Sequence, residues 1–264
     1  MLPYFHFSTI DLGPVPIQVW GLWVSLGLVA AIILAYKLSQ KYILSEVVML
    51  DLATWAVIGA FIMARVFHVV FYEPYYYVLH PAEIIKFWNG GASSLGGFVG
   101  ALMAVWIFAK IKKFSWRELL PYFDVAAVSL WLGWGIGRIG CYMINDHPGK
   151  LTNFFLAVNY PGGARFDLGL MDSILGFGLF IIFFVLFKKL VKIRWGLAAG
   201  LSFLGYAVVR FFLDFLRASD LPGADVRYFY LTPAQWGMIA VVIGLTLALF
   251  WHKIKRKTSA TYEV

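Results

Sequence analysis

Charged residues are scarce in this sequence. Asp, Glu, Lys and Arg make up 14% of the 264 residues, against about 25% in soluble domains. Hydrophobic residues make up 61%, and the mean hydropathy is +0.78. So few polar side chains cannot cover the surface of a folded chain in water. The composition excludes a soluble enzyme and a disordered protein, and it predicts a polytopic membrane protein.

Cysteine is almost absent as well. Cys141 is the single cysteine, which excludes an internal disulfide and a disulfide scaffold. The first 21 residues contain no Lys or Arg, so we expect an uncleaved first membrane helix rather than a cleaved signal peptide. The net charge of +8 lies mostly in loops between apolar segments, so it indicates a membrane surface and no nucleic-acid partner. The sequence indicates no metal and no cofactor.

Seven apolar stretches have about the length that a membrane span needs. They lie at 17–37, 49–72, 93–111, 121–143, 168–190, 195–217 and 233–252. We therefore predict an all-α polytopic membrane protein, one domain over 1–264, with about seven transmembrane helices. The aromatic segment 73–92 predicts an interfacial region on the outer face, with a short helix at 81–88.

Basic residues predict the orientation. Loops at 37–41, 110–117, 188–194 and 253–257 carry fourteen of the 22 Lys and Arg residues, whereas the opposite loops carry five. By the positive-inside rule, the C-terminus is cytoplasmic and the N-terminus is outside. The longest loops, 73–92, 144–167 and 218–232, then all lie outside, so we expect the protein to act at that face.

Three arginines lie within predicted spans: Arg65, Arg138 and Arg210. A charged side chain at the middle of a span costs about 2.5–3.5 kcal/mol on insertion scales, so such residues are candidates for function. Few carboxylates are expected at the same depth, and an excess of guanidinium groups favours an anion. Because Arg binds phosphate through a planar fork, we predict a site for a lipid phosphate that opens to the outer leaflet.

Structural roles for these arginines remain open alternatives. Arg210 lies in a polar stripe with Tyr206 at i−4, Asp214 at i+4 and Arg217 at i+7. Arg210 and Asp214 could form a simple ion pair. Arg217 could extend to the interface, and Arg65 could join two helices by hydrogen bonds. Glycines cluster at 90–100, around the start of the third predicted span, and at 133–140, in the fourth. They favour close helix packing or exposed backbone donors.

Several motifs in order resemble the prolipoprotein diacylglyceryl transferase family. The clearest is YYYVLHPAEIIKFWNGGASSLGGFVG at 75–100, followed by Gly-Arg-x-Gly at 137–140. The later motif is carried by Tyr206, Arg210, Asp214, Phe215 and Arg217, before Asp220 and the LTPAQ segment that ends at Gln235. The resemblance runs from the first predicted span to the seventh.

The resemblance implies a function, a reaction and a set of site residues. The family transfers the diacylglyceryl group of phosphatidylglycerol to the lipobox cysteine of a prolipoprotein in the bacterial inner membrane, and glycerol 1-phosphate leaves. It implies catalytic roles for Arg138, Arg210 and Tyr206. It also implies a set of residues that contact the substrate: Arg138, Arg65, Gly96, Gly97, Asn145, Asp146, Arg165, Asp214 and Arg217.

The sequence departs from the family pattern where protons would be handled. Leu95 stands where many members have a histidine before the second Gly-Gly pair, and Cys141 stands where they have an asparagine. A leucine cannot accept a proton, so two alternatives remain: the arginines alone stabilise the thiolate, or His147 or Asp146 acts as the base. Cys141 is either an activated thiol beside Arg138 or a small packing residue.

Three functions are compatible with the sequence. The first is the transferase. The second is a divergent relative that binds anionic phospholipid but is inactive or acts on another acceptor. The third, a transporter, has little support, because the sequence contains no inverted repeat.

Overall fold

The computed structural model describes residues 1–12, 15–86, 91–221 and 227–260. Residue contacts group the chain into two compact units, one formed by 1–35 with 123–264 and the other by 36–122. A single domain over 1–264 stays a prediction.

Eight α-helices account for most of the described chain. They are α1 (Val19–Lys41), α2 (Glu46–Phe71), α3 (Pro74–Leu79), α4 (Ser94–Ile111), α5 (Trp116–Ile144), α6 (Leu168–Ile193), α7 (Leu197–Leu213) and α8 (Pro233–Ala260). Short 3-10 helices follow α3, at Pro81–Ile85, and α7, at Asp214–Leu216. Five of the described helices are long and apolar enough to cross a membrane, and two shorter apolar stretches lie at Leu95–Ile111 and Pro233–Ala248. The all-α polytopic prediction is confirmed.

Each of the seven predicted spans coincides with one helix. The largest difference at a helix start is in α5, which begins five residues earlier than predicted, at Trp116, whereas α8 ends eight residues later than predicted, at Ala260. Ser115 explains the earlier start, because its hydroxyl accepts from the Glu118 N–H while the Glu118 carboxylate accepts from the Ser115 N–H. This reciprocal capping box satisfies donors that would otherwise lack partners at the helix start. Residues 87 and 88 of the predicted helix 81–88 lie outside the described residues.

Two small antiparallel sheets occur in segments that the sequence analysis treated as loops. Strands β1 (Thr9–Leu12) and β2 (Val15–Gln18) form a hairpin before α1. Strands β3 (Pro148–Leu151), β4 (Val158–Tyr160) and β5 (Gly163–Asp167) form a sheet in the order β3-β5-β4. This sheet lies between α5 and α6 in the chain, so it fixes the connection between the two helix ends.

Within the unit 36–122, helices α2 and α4 pack along small residues. A Cβ atom on Gly100 would lie 2.1 Å from the Gly59 carbonyl oxygen, and one on Gly96 would lie 2.4 Å from the Met63 oxygen. The two backbones therefore approach closely, as small residues permit in membrane helices. The predicted packing role of these glycines is confirmed.

In the other unit, glycines of α5 bring two further helices close. A Cβ atom on Gly27 of α1 would lie 2.4 Å from the Gly133 oxygen, and one on Gly176 of α6 would lie 2.8 Å from the Gly135 nitrogen. Helix α5 continues without a break through Gly137 and Gly140. Since the segment is an unbroken helix, these glycines serve packing rather than exposing backbone donors.

A buried carboxylate fixes the start of α7. Asp124 on α5 is fully buried, and it accepts from the backbone N–H groups of Gly196 at 2.6 Å and Ala199 at 2.7 Å. A carboxylate at a helix N-terminus satisfies backbone donors and interacts favourably with the helix dipole. This cap holds α5 and α7 in register, which positions their opposite ends.

Candidate functional site: a buried arginine cluster

Arg138 and Arg210 meet at one buried carboxylate. Arg138 lies one and a half turns before the end of α5, Arg210 lies in the last turn of α7, and Asp172 lies in the second turn of α6. The Arg138 Nη2 atom is 3.3 Å from Asp172 Oδ2, and the Arg210 Nε atom is 3.7 Å from Asp172 Oδ1. Asp172 is 1% exposed, so it joins the ends of three helices by charge.

A second buried carboxylate extends the cluster. Asp214 Oδ1 is 3.2 Å from Arg210 Nη2 and 2.7 Å from Arg217 Nε, and the Thr232 hydroxyl donates to the other carboxylate oxygen. Thr232 also bonds to Gln235 in the first turn of α8. The predicted Arg210–Asp214 pair is confirmed, and it lies within a larger chain of alternating charges.

The expectation of few buried carboxylates beside the arginines was wrong. Two carboxylates, Asp172 and Asp214, face three guanidinium groups, so positive charge exceeds negative charge by one within this group. The Arg210 Nη1 atom is buried and has no hydrogen-bond partner among the residues that the structure describes. Because an unpaired buried donor is costly, this atom and the excess charge favour an anionic ligand.

Aromatic rings form one side of the cluster. The Arg138 guanidinium carbon lies 4.6 Å from the centre of the Trp134 ring, one turn earlier on α5. The Tyr206 ring packs against Trp131 at 4.9 Å and against Trp134 at 5.8 Å. Tyr206 therefore lies beside the arginines, as the resemblance implied, and the packed rings restrict how the Arg138 side chain can move.

Three chemically active side chains lie at the end of α5 and just beyond it. A sulfur, a carboxylate oxygen and a ring nitrogen of Cys141, Asp146 and His147 all lie within 4.8 Å of one another. The Arg138 Nη1 atom is 3.5 Å from the Cys141 sulfur. His147 Nε2 is 3.6 Å from Asp146 Oδ2. This group is called the Cys141–Asp146–His147 group below.

The electrostatics of the Cys141–Asp146–His147 group oppose a metal cation. Burial, together with the positive charges of Arg138, Arg217 and Arg210, lowers the pKa of His147 to about 4. Burial also raises the pKa of Asp146. Three guanidinium groups that disfavour a proton on an imidazole would disfavour a divalent cation there more strongly. The donor set is compatible with a cation by spacing alone, whereas the field around it favours anions.

Two further predicted substrate residues lie at this end of the unit. Asn145 has a positive φ of 51° and donates to the carbonyl of Phe5, so it ends α5 and holds the N-terminal segment. Arg165 on β5 forms a two-pronged pair with Asp220, at 3.0 Å and 2.5 Å, and also donates to the Gly149 carbonyl. The side chain of Arg165 thereby connects the sheet to the segment after α7. Substrate contacts by both residues stay predictions.

Arg65 and the two glycines lie in the other unit. The Arg65 side chain is buried and donates to four backbone carbonyls, those of Glu83, Ile84, Lys86 and Gly91. Gly96 packs against α2, and its N–H points at the Ser93 hydroxyl; Gly97 also faces α2. These contacts give Arg65 and Gly96 structural roles, and substrate binding by Arg65, Gly96 and Gly97 stays a prediction.

Two members of the cluster were missed by sequence reasoning. Asp172 was not singled out, although an acidic residue inside an apolar span is itself a signal. Trp134 was not singled out, although its spacing of four from Arg138 places both on one helix face. Helix spacing could have found Trp134, whereas the pairing of Asp172 with two other helices depends on tertiary structure.

The fold and the site define a polytopic helical membrane protein with an arginine-rich site at the ends of three helices. The family model for prolipoprotein diacylglyceryl transferase matches residues 8–251. The chain belongs to this family.

Its relatives include proteins named phosphatidylglycerol–prolipoprotein diacylglyceryl transferase from three bacteria. The one from Oleidesulfovibrio alaskensis is 30% identical over 99% of this chain and 98% of its own. The one from Cupriavidus metallidurans is 29% identical over 95% of each chain, and the one from Nitrosomonas europaea is 30% identical over 94% and 90%.

Proposed function

We propose that this protein transfers the diacylglyceryl group of phosphatidylglycerol to the cysteine thiol of a prolipoprotein, with loss of glycerol 1-phosphate. The family and the names of its relatives support the reaction. The observation that carries the proposal to named residues is the cluster of Arg138 and Arg210 around Asp172. The acceptor is the lipobox cysteine of the precursor, and the site is in the bacterial inner membrane.

The arginine cluster suits the leaving group. In this reaction, a thiolate attacks a glycerol carbon and the phosphate ester leaves with a second negative charge. Donors that are fixed in place before the reaction stabilise such charge most effectively. Asp172 holds one edge of Arg138 and of Arg210, so the remaining N–H groups, including the buried Arg210 Nη1, are available to the phosphate.

Tyr206 supports the same region of the site. Its ring is packed against two tryptophans, and the charges of Arg138 and Arg210 act on its hydroxyl. A fixed phenol can donate a hydrogen bond to a phosphate oxygen, as its ordinary donor capacity permits. The N-terminus is outside and the C-terminus is cytoplasmic in this proposal, which places the cluster toward the outer leaflet.

A second candidate function is a lipid-binding relative without transferase activity. Leu95, in the first turn of α4, is 62% exposed and stands where many family members have a histidine. Loss of that histidine would leave an arginine site that binds phosphatidylglycerol without the proton transfer. The two candidates share the arginine cluster and differ in the chemistry.

Purified protein in detergent tests the two candidates directly. The protein is mixed with phosphatidylglycerol and a synthetic lipobox peptide, and we expect release of glycerol phosphate with a diacylglyceryl mass shift on the peptide cysteine. Bound phosphatidylglycerol without either product would favour the lipid-binding relative. An Arg138→Ala variant is the matched negative control, since it removes the phosphate contact while the substrates stay the same.

A further inference from the structure

The proposed transfer requires a proton acceptor. A thiol has a pKa of about 8.5, and the nucleophile is its thiolate. A general base must reach that proton near the arginines that hold the phosphate. Asp172 and Asp214 each form ion pairs with two arginines, so protonation of either carboxylate would break those pairs. Among the residues that the structure describes around the cluster, His147 offers an uncharged nitrogen.

The geometry places His147 beside the arginine cluster. A ring nitrogen of His147 is within 4.8 Å of the Cys141 sulfur, and the same sulfur is 3.5 Å from Arg138 Nη1. The Cys141 sulfur therefore lies between His147 and the Arg138 guanidinium, which would bind the phosphate. Its side chain is 31% exposed, so a peptide thiol can reach the ring.

The backbone and a carboxylate fix the position of this histidine. The His147 carbonyl accepts from the Leu168 N–H at 3.1 Å, which ties it to the start of α6. The Asp146 carboxylate lies 3.6 Å from His147 Nε2. A carboxylate beside an imidazole stabilises the imidazolium that forms when the base takes a proton.

We propose that the His147 imidazole is the general base that removes the proton from the acceptor thiol, with Asp146 as its positioning residue. This proposal rests on the proposed function. The thiol proton passes to a ring nitrogen of His147, the sulfur forms a bond to the glycerol carbon, and the bond from that carbon to the phosphate oxygen breaks. Glycerol 1-phosphate leaves with the electron pair, and His147 then releases its proton to the phosphate product or to water.

Charge around His147 makes this base respond to the substrate. Arg138, Arg210 and Arg217 face the ring from α5 and from the end of α7, and Asp146 and Cys141 are its other ionisable neighbours. With the site empty, burial and then these arginines disfavour a proton on the ring. Bound phosphate offsets their charge, so the basicity of His147 rises when the lipid is in place.

A paired acceptor assay tests the base. Wild type, His147→Gln and His80→Gln are compared on a lipobox peptide with cysteine and on its selenocysteine twin, with phosphatidylglycerol in detergent micelles. A selenol is a stronger acid than a thiol and is ionised at neutral pH, so it does not need a base. We expect His147→Gln to lose about 10²–10⁴-fold in kcat with the thiol and to approach wild type with the selenol. His80 is exposed in α3's C-terminal cap, and its variant should match wild type on both.

The outcomes separate the two proposals. No transfer by wild type to either peptide would overturn the proposed function itself. Active wild type with an equally active His147→Gln variant would overturn the base alone. Equal loss on the thiol and the selenol would also overturn it, because a purely structural role affects both acceptors.

Discussion

Two arginine environments in this chain contrast sharply. Arg65 is buried in the unit 36–122, and its guanidinium donates to four backbone carbonyls of the segment 83–91. In the other unit, Arg138 is partly buried and Arg210 is buried; they share the Asp172 carboxylate, and Arg210 also pairs with Asp214. All three lie in predicted spans and had the same standing as phosphate ligands in the sequence.

The partners decide what each guanidinium can do. The carbonyls of residues 83, 84, 86 and 91 accept the Arg65 hydrogen bonds, which is how a charged group can satisfy polar backbone near a membrane. Carboxylates fix one edge of Arg138 and Arg210 and leave other donors, including Arg210 Nη1, directed elsewhere. An arginine whose donors all bond to backbone carbonyls supports structure, whereas an arginine with a buried donor left for a ligand is suited to binding an anion.

Replacing Arg210 should have the largest effect on activity. We expect Arg210→Ala to lower kcat by at least about 10²–10³-fold, the loss typical of one preorganised donor to a developing anion. Glycerol phosphate release measures the effect. Lys192→Ala, which removes an exposed basic residue in the last turn of α6, is the control and should retain full activity. An active Arg210→Ala variant would contradict the phosphate role.

Replacing Asp172 should have a smaller but clear effect on activity. Asp172→Asn keeps the shape and removes the charge that holds Arg138 and Arg210. We expect about tenfold slower transfer and a loss of roughly 3 kcal/mol in the free energy of unfolding, because breaking a buried pair leaves charge uncompensated. Thermal unfolding in detergent and transfer kinetics measure the two effects. Unchanged kinetics would show that the arginines keep their positions without this carboxylate.

Replacing Arg65 should affect stability rather than activity. Arg65→Met leaves four carbonyls without their donor, and we expect the free energy of unfolding to fall by about 2–4 kcal/mol. The KM for phosphatidylglycerol should stay within a factor of two for the molecules that remain folded. A large rise in KM with unchanged stability would instead place Arg65 in the phosphate site and remove the contrast.

The smallest effect is expected at the Arg165–Asp220 pair, in which the aspartate is half exposed. Hydrogen bonds from Arg165 lower the pKa of the Asp220 carboxyl, so the pair contributes fully above the ordinary pKa of aspartate. The contribution is lost as the pH falls through the lowered value. Asp220→Asn should therefore slightly increase proteolysis near this segment at pH 7, and the difference from wild type should vanish in strong acid. Equal proteolysis of the variant and wild type at pH 7 would show that the pair does not stabilise this segment.

Much of the site followed from local sequence rules. Helix spacing placed Tyr206, Arg210, Asp214 and Arg217 on one stripe, and the structure confirms the Arg210–Asp214 pair. The apolar runs located the seven helices that coincide with predicted spans, because a span must satisfy its backbone internally and so must be helical over a fixed length. The motif order identified the family before any fold was known.

Tertiary structure decided the partners. Asp172 joins Arg138 and Arg210 from a third helix, and His147 approaches the cluster through the chain reversal that follows α5. Contacts between distant segments depend on helix packing. Close backbone approaches between Gly27 and Gly133 and between Gly135 and Gly176 determine that packing. The sequence by itself determined where polar groups enter the membrane. Only the fold decided which of them are saturated by carbonyls and which keep a donor for phosphate, because hydrogen-bond satisfaction is a property of the packed chain.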